Sequence, residues 1–400
     1  MAGMGMMEIF MALFFLAAPS GPYGKPAPAA TVFRHVPEGA VLVVGVDVAS
    51  LAQGVDQGLG RILKAPFVKK SPILQMGATA VTSAKETMLQ KVRELGIDPL
   101  RDIRYLMVAM QPPSDGQERI LIVAGGKFPA GILDKLAQLS GAQKKDNMLI
   151  VGDDPENPLV LTRAGDKTLV FGSRPWVQDA LAGKLKNKML SSLLQDYGRD
   201  TYLMVAFRPN ESIRADWKTE DPMAQPLLNH FEAMSVRFTY KSEIIKLVTD
   251  DPKFVAVYKG ILDGLGQMFV AGWQFASGVL TMGEAYLASL DPVAQLDASL
   301  PPEGRQVMRT LVENRREIRK LVQELFLGKK TRATARGLKS KRTAMLTISG
   351  HGPSAMMFFG AMLGGIVLAG SSEKAPSVEV KADDLKTTPV LPAPQKPAVQ

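Results

Sequence analysis

The sequence predicts an α+β fold of two related modules, each a mostly antiparallel sheet with packed helices. Three observations predict it. The pentapeptide YLMVA occurs twice, at Tyr105–Ala109 within RDIRYLMVAMQP and at Tyr202–Ala206 within RDTYLMVAFRP, each copy followed closely by a proline. An apolar run without alternation suits an inner strand covered on both faces. Short β-branched segments are separated by Gly, Pro and Asp clusters, as strands joined by hairpin turns require. Helical stretches fall between groups of strands instead of alternating with single strands, which is the α+β order.

The elements follow in turn. AVLVVGVDV at 40–48 is rich in β-branched residues and reads as a buried strand. The chain beyond Leu51 becomes helical through 71–95 and stops at Gly96, with Pro99 close behind. IRYLMVAMQ, PPSDGQ and RILIVAGGKF read as strand, turn and strand. Residues 130–140 read as a helix, NMLIVG at 147–152 as a strand, and PLVLT and TLVFG as strands around the turn RAGDK. Ser173, followed by Pro175 and WVQDALAG, carries the cap and early-proline marks of a closing helix.

In the second half a long helical region is expected over 221–263, and MFVAGWQFASGVLTMGEAYL at 268–287 reads as two strands joined at Ser277-Gly278. A helix starts at Leu300-Pro301-Pro302-Glu303, with Met308, Leu311, Ile318, Val322 and Leu325 three, four or seven apart and Arg315 interrupting the stripe. The strand AMLTIS at 344–349 and an apolar segment at 354–369 close the module.

The domain plan that results is a signal peptide at 1–20, a Pro/Ala-rich linker at 21–35, a first module at 36–190, a second at 191–370 and a disordered tail at 371–400. IFMALFFLAA at 9–18 is too short to span a bilayer and fits the apolar core of a secretory signal, with small residues near Ala18-Pro-Ser20 for cleavage. The segment before it carries Glu8 and no Lys or Arg, a departure from the usual signal pattern. The expectation is export to the periplasm or cell envelope.

VPEGAVLVVGVDVASL (36–51), LGIDPLRDIRYLMVA (95–109) and LVFGSRPWVQDAL (169–181) together resemble uncharacterised exported bacterial proteins that carry an α+β domain of unknown function. The likeness covers about 36–185 and implies that fold and location, but no activity. Such proteins often resemble lipoproteins; this chain has no cysteine, so anchoring by that route does not carry over.

The absence of cysteine also excludes disulfides, thiolate metal sites and cysteine nucleophiles. His35, His230 and His351 lie far apart and show no metal-ligand spacing. Gly125-Gly126-Lys127 lacks the upstream glycine and the following Ser/Thr of a phosphate loop, and reads as a strand end. Ser371 to Lys374 matches S-x-x-K only inside the tail, and no G-x-S-x-G elbow occurs. Asp153-Asp154 and Asp250-Asp251 each precede proline, a turn composition, and Asn210-Glu211-Ser212 matches the glycosylation triplet. No metal, no cofactor and no catalytic residue is expected, and the protein reads as a non-enzyme; the alternative is an envelope enzyme whose site is assembled from scattered carboxylates, which no spacing reveals.

Charge carries the one functional signal. Residues 303–342 hold thirteen Lys or Arg against four Glu, a surplus equal to the whole formal charge of +9. Up to 325 the glutamates stand at helical distances that can neutralise their neighbours. KKTRATARGLKSKR at 329–342 has no acid, so Lys329, Lys330, Arg332, Arg336, Lys339, Lys341 and Arg342 are the candidate contacts for an anionic partner, a membrane or cell-wall polymer. The run contains no aromatic residue on which a base could stack, which disfavours specific nucleic-acid recognition. From Thr343 to Ser372 there is no formal charge, and Gly360-x-x-x-Gly364 is a close-packing motif of membrane helices. In an exported chain the basic run would lie outside such a span, against the positive-inside rule, so a helix packed on the second sheet is the favoured reading and a membrane anchor the alternative.

Overall fold

The two YLMVA copies lie on either side of one strand. In the computed structural model, which describes residues 30–350 apart from 50–59, most of 73–101, 112–118, 152–157, most of 183–200, 218–223, 240, 290–300 and 329–330, β1 (Leu42–Asp47) pairs antiparallel with β2 (Ile103–Gln111) and with β8 (Thr201–Phe207). The registers match letter for letter. Val43 faces Ala109 on one side and Ala206 on the other, Gly45 faces Met107 and Met204, and Val46 faces Leu106 and Leu203. Tyr, Leu, Met and Ala are buried in both copies and the valine is half-buried in both.

The twelve strands among the described residues form one antiparallel sheet. Its order is β11-β12-β10-β9-β8-β1-β2-β3-β7-β6-β5-β4. The first-half strands are β3 (Arg119–Gly126), β4 (Gln143–Lys145), β5 (Met148–Val151), β6 (Leu159–Arg163) and β7 (Thr168–Ser173). In the second half stand β9 (Phe231–Thr239), β10 (Ser242–Thr249), β11 (Arg332–Leu338) and β12 (Thr343–Ser349). The expected α+β class with antiparallel strands holds, as one continuous sheet. The described residues fall within a unit that ends at Gly360; the remainder, 361–400, lies outside them.

Over β1 to β3 lies α1 (Ala30–Phe33), at the end of the stretch read as linker; Val32 and His35 are buried there. A side chain at Gly45 would collide with the Phe33 ring, and one at Gly125 with Val32, so these glycines let the helix lie close to the sheet. A short helix α2 (Pro66–Lys70) precedes β2, and α3 (Ile132–Ser140) ends in a left-handed glycine, Gly141. On the α1 side, α4 (Arg174–Leu181) buries Trp176, Val177 and Ala180 in the core formed by Val43, Met107 and Met204. Ser173 stands at its N-cap position, but the hydroxyl accepts from the Ile120 amide of β3 at 3.3 Å and makes no cap bond.

The second half departs from expectation in several places. The helix expected over 221–263 is three elements: α6 (Ala224–His230), preceded by α5 (Glu211–Asp216), then the β9–β10 hairpin, then the start of a long helix. In the hairpin Val236, Ile244, Ile245, Leu247 and Val248 supply the β-branched and apolar content that pairs across strands. The two strands expected at 268–287 are the body of α7 (Phe254–Ser289), a single helix of 36 residues. Its apolar residues recur at seven-residue intervals along the outer side, a helical period that strand composition masks.

The inner side of α7 packs on β11 and β12 through Tyr258, Leu262, Ala335, Ala344 and Leu346. Gly266 takes it closest to the sheet, where a Cβ would stand 2.9 Å from Ala333. Farther along, Trp273 donates to the Leu327 carbonyl at 2.6 Å. The helix expected from 300 is broken at Asn314 into α8 (Pro302–Glu313) and α9 (Arg315–Val322), followed by a π-helical turn at Gln323–Leu327. Ile318 and Leu321 of α9 pack on Phe67 and Val68 of α2.

Candidate anionic-partner surface

The basic run, which the sequence marks by charge alone, forms the edge strand β11 and the turn after it. Its inward positions explain why it forms a strand. Ala333, Ala335 and Gly337 alternate beneath α7, small enough for the helix to lie on them; Gly337 would touch Val255 with any side chain. Arg332, Thr334 and Arg336 therefore point to the opposite face, and all three are exposed. Lys339–Lys341 form a 3-10 turn, and Arg342 takes a left-handed conformation at φ 48° to bring the chain back into β12.

The hairpin brings Arg332, Arg336, Lys339, Lys341 and Arg342 together at the outer edge of the sheet; Lys329 and Lys330 lie outside the described residues. Register adds two cations that were not foreseen. Arg336 lies opposite Met345, and Met345 opposite Lys246 of β10, so Arg336 and Lys246 share a face two strands apart. Arg237 of β9 enters the same face opposite Ile244. Burial, and then the nearby charge of Lys341, hold the Lys246 ammonium below the ordinary lysine value. Nothing in the linear sequence brings Lys246 and Lys341 together.

On α9 two arginines have partners. Arg319 donates to Glu284 of α7 at 2.5 Å, and Arg315 to the Val312 carbonyl at 2.8 Å. Among the described residues, no carboxylate is paired with Arg332, Arg336, Lys339, Lys341 or Arg342. Charges of one sign gathered on an exposed face make a local positive potential.

The other sequence candidates serve local structure. His35 is buried and lies 3.3 Å from the Ala180 carbonyl, with burial holding its ring below the ordinary value. His230 meets Asp250 at 2.8 Å and stacks on Phe254, and Asp251 accepts from the Lys253 amide in the turn before α7. Asn210 caps α5 by accepting from the Ile213 amide at 2.9 Å. Gly126 ends β3, with the Asp102 carbonyl filling the space a side chain would need. His351, Asp153, Asp154 and the Ser371–Lys374 stretch lie outside the described residues. Among the described residues no group of three His, Asp or Glu could hold a metal ion. Two buried ionisable groups stand apart from the basic face. Asp47 pairs with Arg104 at 3.1 Å beside Tyr105, and Glu243 is buried on β10.

Fold and surface define an α+β protein whose single antiparallel sheet ends in an exposed cationic edge. No protein-family model and no curated protein matches the chain. Among solved structures it is similar to TP0453 in two crystal forms, each at 9% identity and a TM-score of 0.30. The match covers 57% of this chain and 84% of the other in form I, and 54% and 80% in form IV.

Proposed function

We propose that this is a non-enzymatic, exported cell-envelope protein that binds an anionic surface through the β11–β12 edge. The observation that carries the reading is the convergence of Arg332, Arg336, Lys339, Lys341 and Arg342 on one exposed hairpin, with Lys246 behind them. Attraction at such a site comes from long-range charge and counterion release, so it weakens with salt and survives changes in apolar packing. The identical registers of the two YLMVA strands support reading the halves as related modules joined at β1. Export rests on the apolar run at 9–18, and sequencing the N-terminus of the native protein tests it: a chain beginning near Gly21 is expected, and an intact Met1 in a cytosolic fraction would reject export.

The binding test is charge reversal. Changing Arg332, Arg336, Lys339 and Lys341 to Glu reverses side chains that are exposed, so folding is expected to persist. Co-sedimentation with phosphatidylglycerol vesicles should fall at least about tenfold in the variant, and in the unchanged chain it should fall steeply as salt rises. Binding that resists both salt and charge reversal would remove the basic edge from the function.

A further inference from the structure

The outer side of α7 is the reverse of an ordinary surface helix. A helix packed on a sheet normally turns its charges to water. Here the three charged residues, Lys259, Asp263 and Glu284, are only half exposed and are paired: Lys259 with Asp263 at 2.5 Å, Glu284 with Arg319 at 2.5 Å. The exposed positions carry no charge from end to end.

What they carry is a seven-residue repeat. Ile261, Met268, Phe275 and Met282 recur at one position, with Phe275 74% exposed. Leu265, Gly272, Val279 and Tyr286 recur four residues later at the next, also exposed. Alternating steps of four and three over four heptads define the seam of a two-stranded coiled coil. One flank of the seam repeats small residues, Gly264, Ala271, Gly278 and Ala285, which permit close approach. Beyond that small row, on the same side and farther from the seam, stand Gln267, Gln274 and Thr281, all exposed, while the opposite flank, with Leu262 and Phe269, turns toward the sheet. That polar row sets the occupant: buried in lipid, the amides would lose their hydrogen bonds to water, whereas at the rim of a helix pair they stay wet.

We propose that this face is a homodimer interface in which α7 pairs antiparallel with α7 of a second copy. Self-complementarity argues for a second copy and for the antiparallel sense. With the two-fold axis between Trp273 and Gln274, Phe275 falls over Gly272 of the other chain, where open space lies above the glycine. The other layers match Met268 with Val279, Leu265 with Met282 and Ile261 with Tyr286, and small residues face small residues along the flank. A parallel pair would instead set Phe275 against Phe275 and Gly272 against Gly272. From Ile261 to Tyr286 the seam runs about 38 Å, and at one helix diameter it covers about 450 Å² on each copy. Two copies bury about 900 Å² by that footprint alone, close to the size at which specific interfaces begin.

Sedimentation of the full chain at about 50 μM should give a dimer, and Phe275→Glu should weaken it at least about 30-fold, as loss of a central anchor does. Unchanged circular dichroism and melting temperature would show that the variant is folded; Met282→Glu is the second variant. The chain contains no cysteine, so introduced thiols are unambiguous. Ala271→Cys mixed with Gly278→Cys should crosslink on oxidation far better than either alone. A chain that stays monomeric, a dimer indifferent to both substitutions, or self-crosslinking of Ala271→Cys alone overturns the proposal. So does a monomer whose binding to neutral phosphatidylcholine vesicles is abolished by Phe275→Glu, which would give the face to lipid.

Discussion

Glu243 is the residue whose burial the fold tolerates least easily. It sits on β10 between Phe238 and Ile348, is 4% exposed, and its Oε1 has no hydrogen-bond partner among the described residues. Burial pushes its carboxyl from the ordinary value near 4.5 up to about 7. Below pH 4.5 the side chain is protonated in both the folded and unfolded states and has no effect on stability through ionisation. Between 4.5 and 7 the unfolded chain releases the proton while the folded chain keeps it, so stability falls as pH rises. Above 7 both are charged and the full cost is present, on the order of 3 kcal/mol. Glu243→Gln removes that cost. Its melting temperature should exceed the parent's by several degrees at pH 8, and the gap should close toward pH 4.5. Parallel curves across that range would show that Glu243 ionises freely. The sequence did not mark this residue, because it fell in a stretch read as helix over 221–263, where an acid ordinarily faces water.

At the scale of elements, legibility followed length and turn chemistry. The first half was read nearly strand for strand, since its hairpins carry compact turns such as RAGDK at 163–167 and its helices are short and bounded by Gly141 and Pro175. The second half misled because composition and period disagree. The β9–β10 hairpin turns at a position without Gly or Pro, and carries Glu232, Arg237, Lys241, Glu243 and Lys246, so its strands resemble a charged helix. Conversely α7 holds Val, Phe, Trp and six glycines, residues that weigh toward strands and turns, while tertiary packing on β11 and β12 makes the helix. Gly266 is where that packing is tightest, with Ala333 and Leu346 at 2.9 and 3.0 Å from a hypothetical Cβ. Gly266→Val must therefore push α7 off the sheet, at a cost of roughly 1–3 kcal/mol despite the better helix propensity. Gly264→Ala, one turn face away in open space, should leave stability unchanged or raise it slightly. Chemical denaturation of the two variants checks the contrast; equal effects would mean that α7 does not lie on β12 as described. The basic edge was legible as charge alone, and its geometry came from the alternating Ala333, Ala335 and Gly337, which no charge pattern reveals.

For the whole molecule, the shared strand changes what the repeat means. Two modules meeting in a linker near 185–200 would separate when that linker is cut. Here β1 belongs to the first half in sequence yet its second edge is filled by β8, with Leu42 to Val46 paired to Phe207 to Leu203. The core follows the same logic: Val43, Met107 and Val170 share one apolar cluster with Met204, Ala206 and Ala233. Separating the halves would expose two apolar strand edges and open that core, both costly in water. Limited proteolysis within 183–200 should therefore yield two pieces that elute together under native conditions and unfold in one transition, while denaturant separates them. Expressed alone, a fragment of residues 191–350 should aggregate through the bare edge of β8, and co-expression with residues 30–190 should keep it soluble. Pieces that elute as two stable species would show independent domains, and would place the boundary of cooperative folding between β1 and β8 instead of at the ends of the sheet.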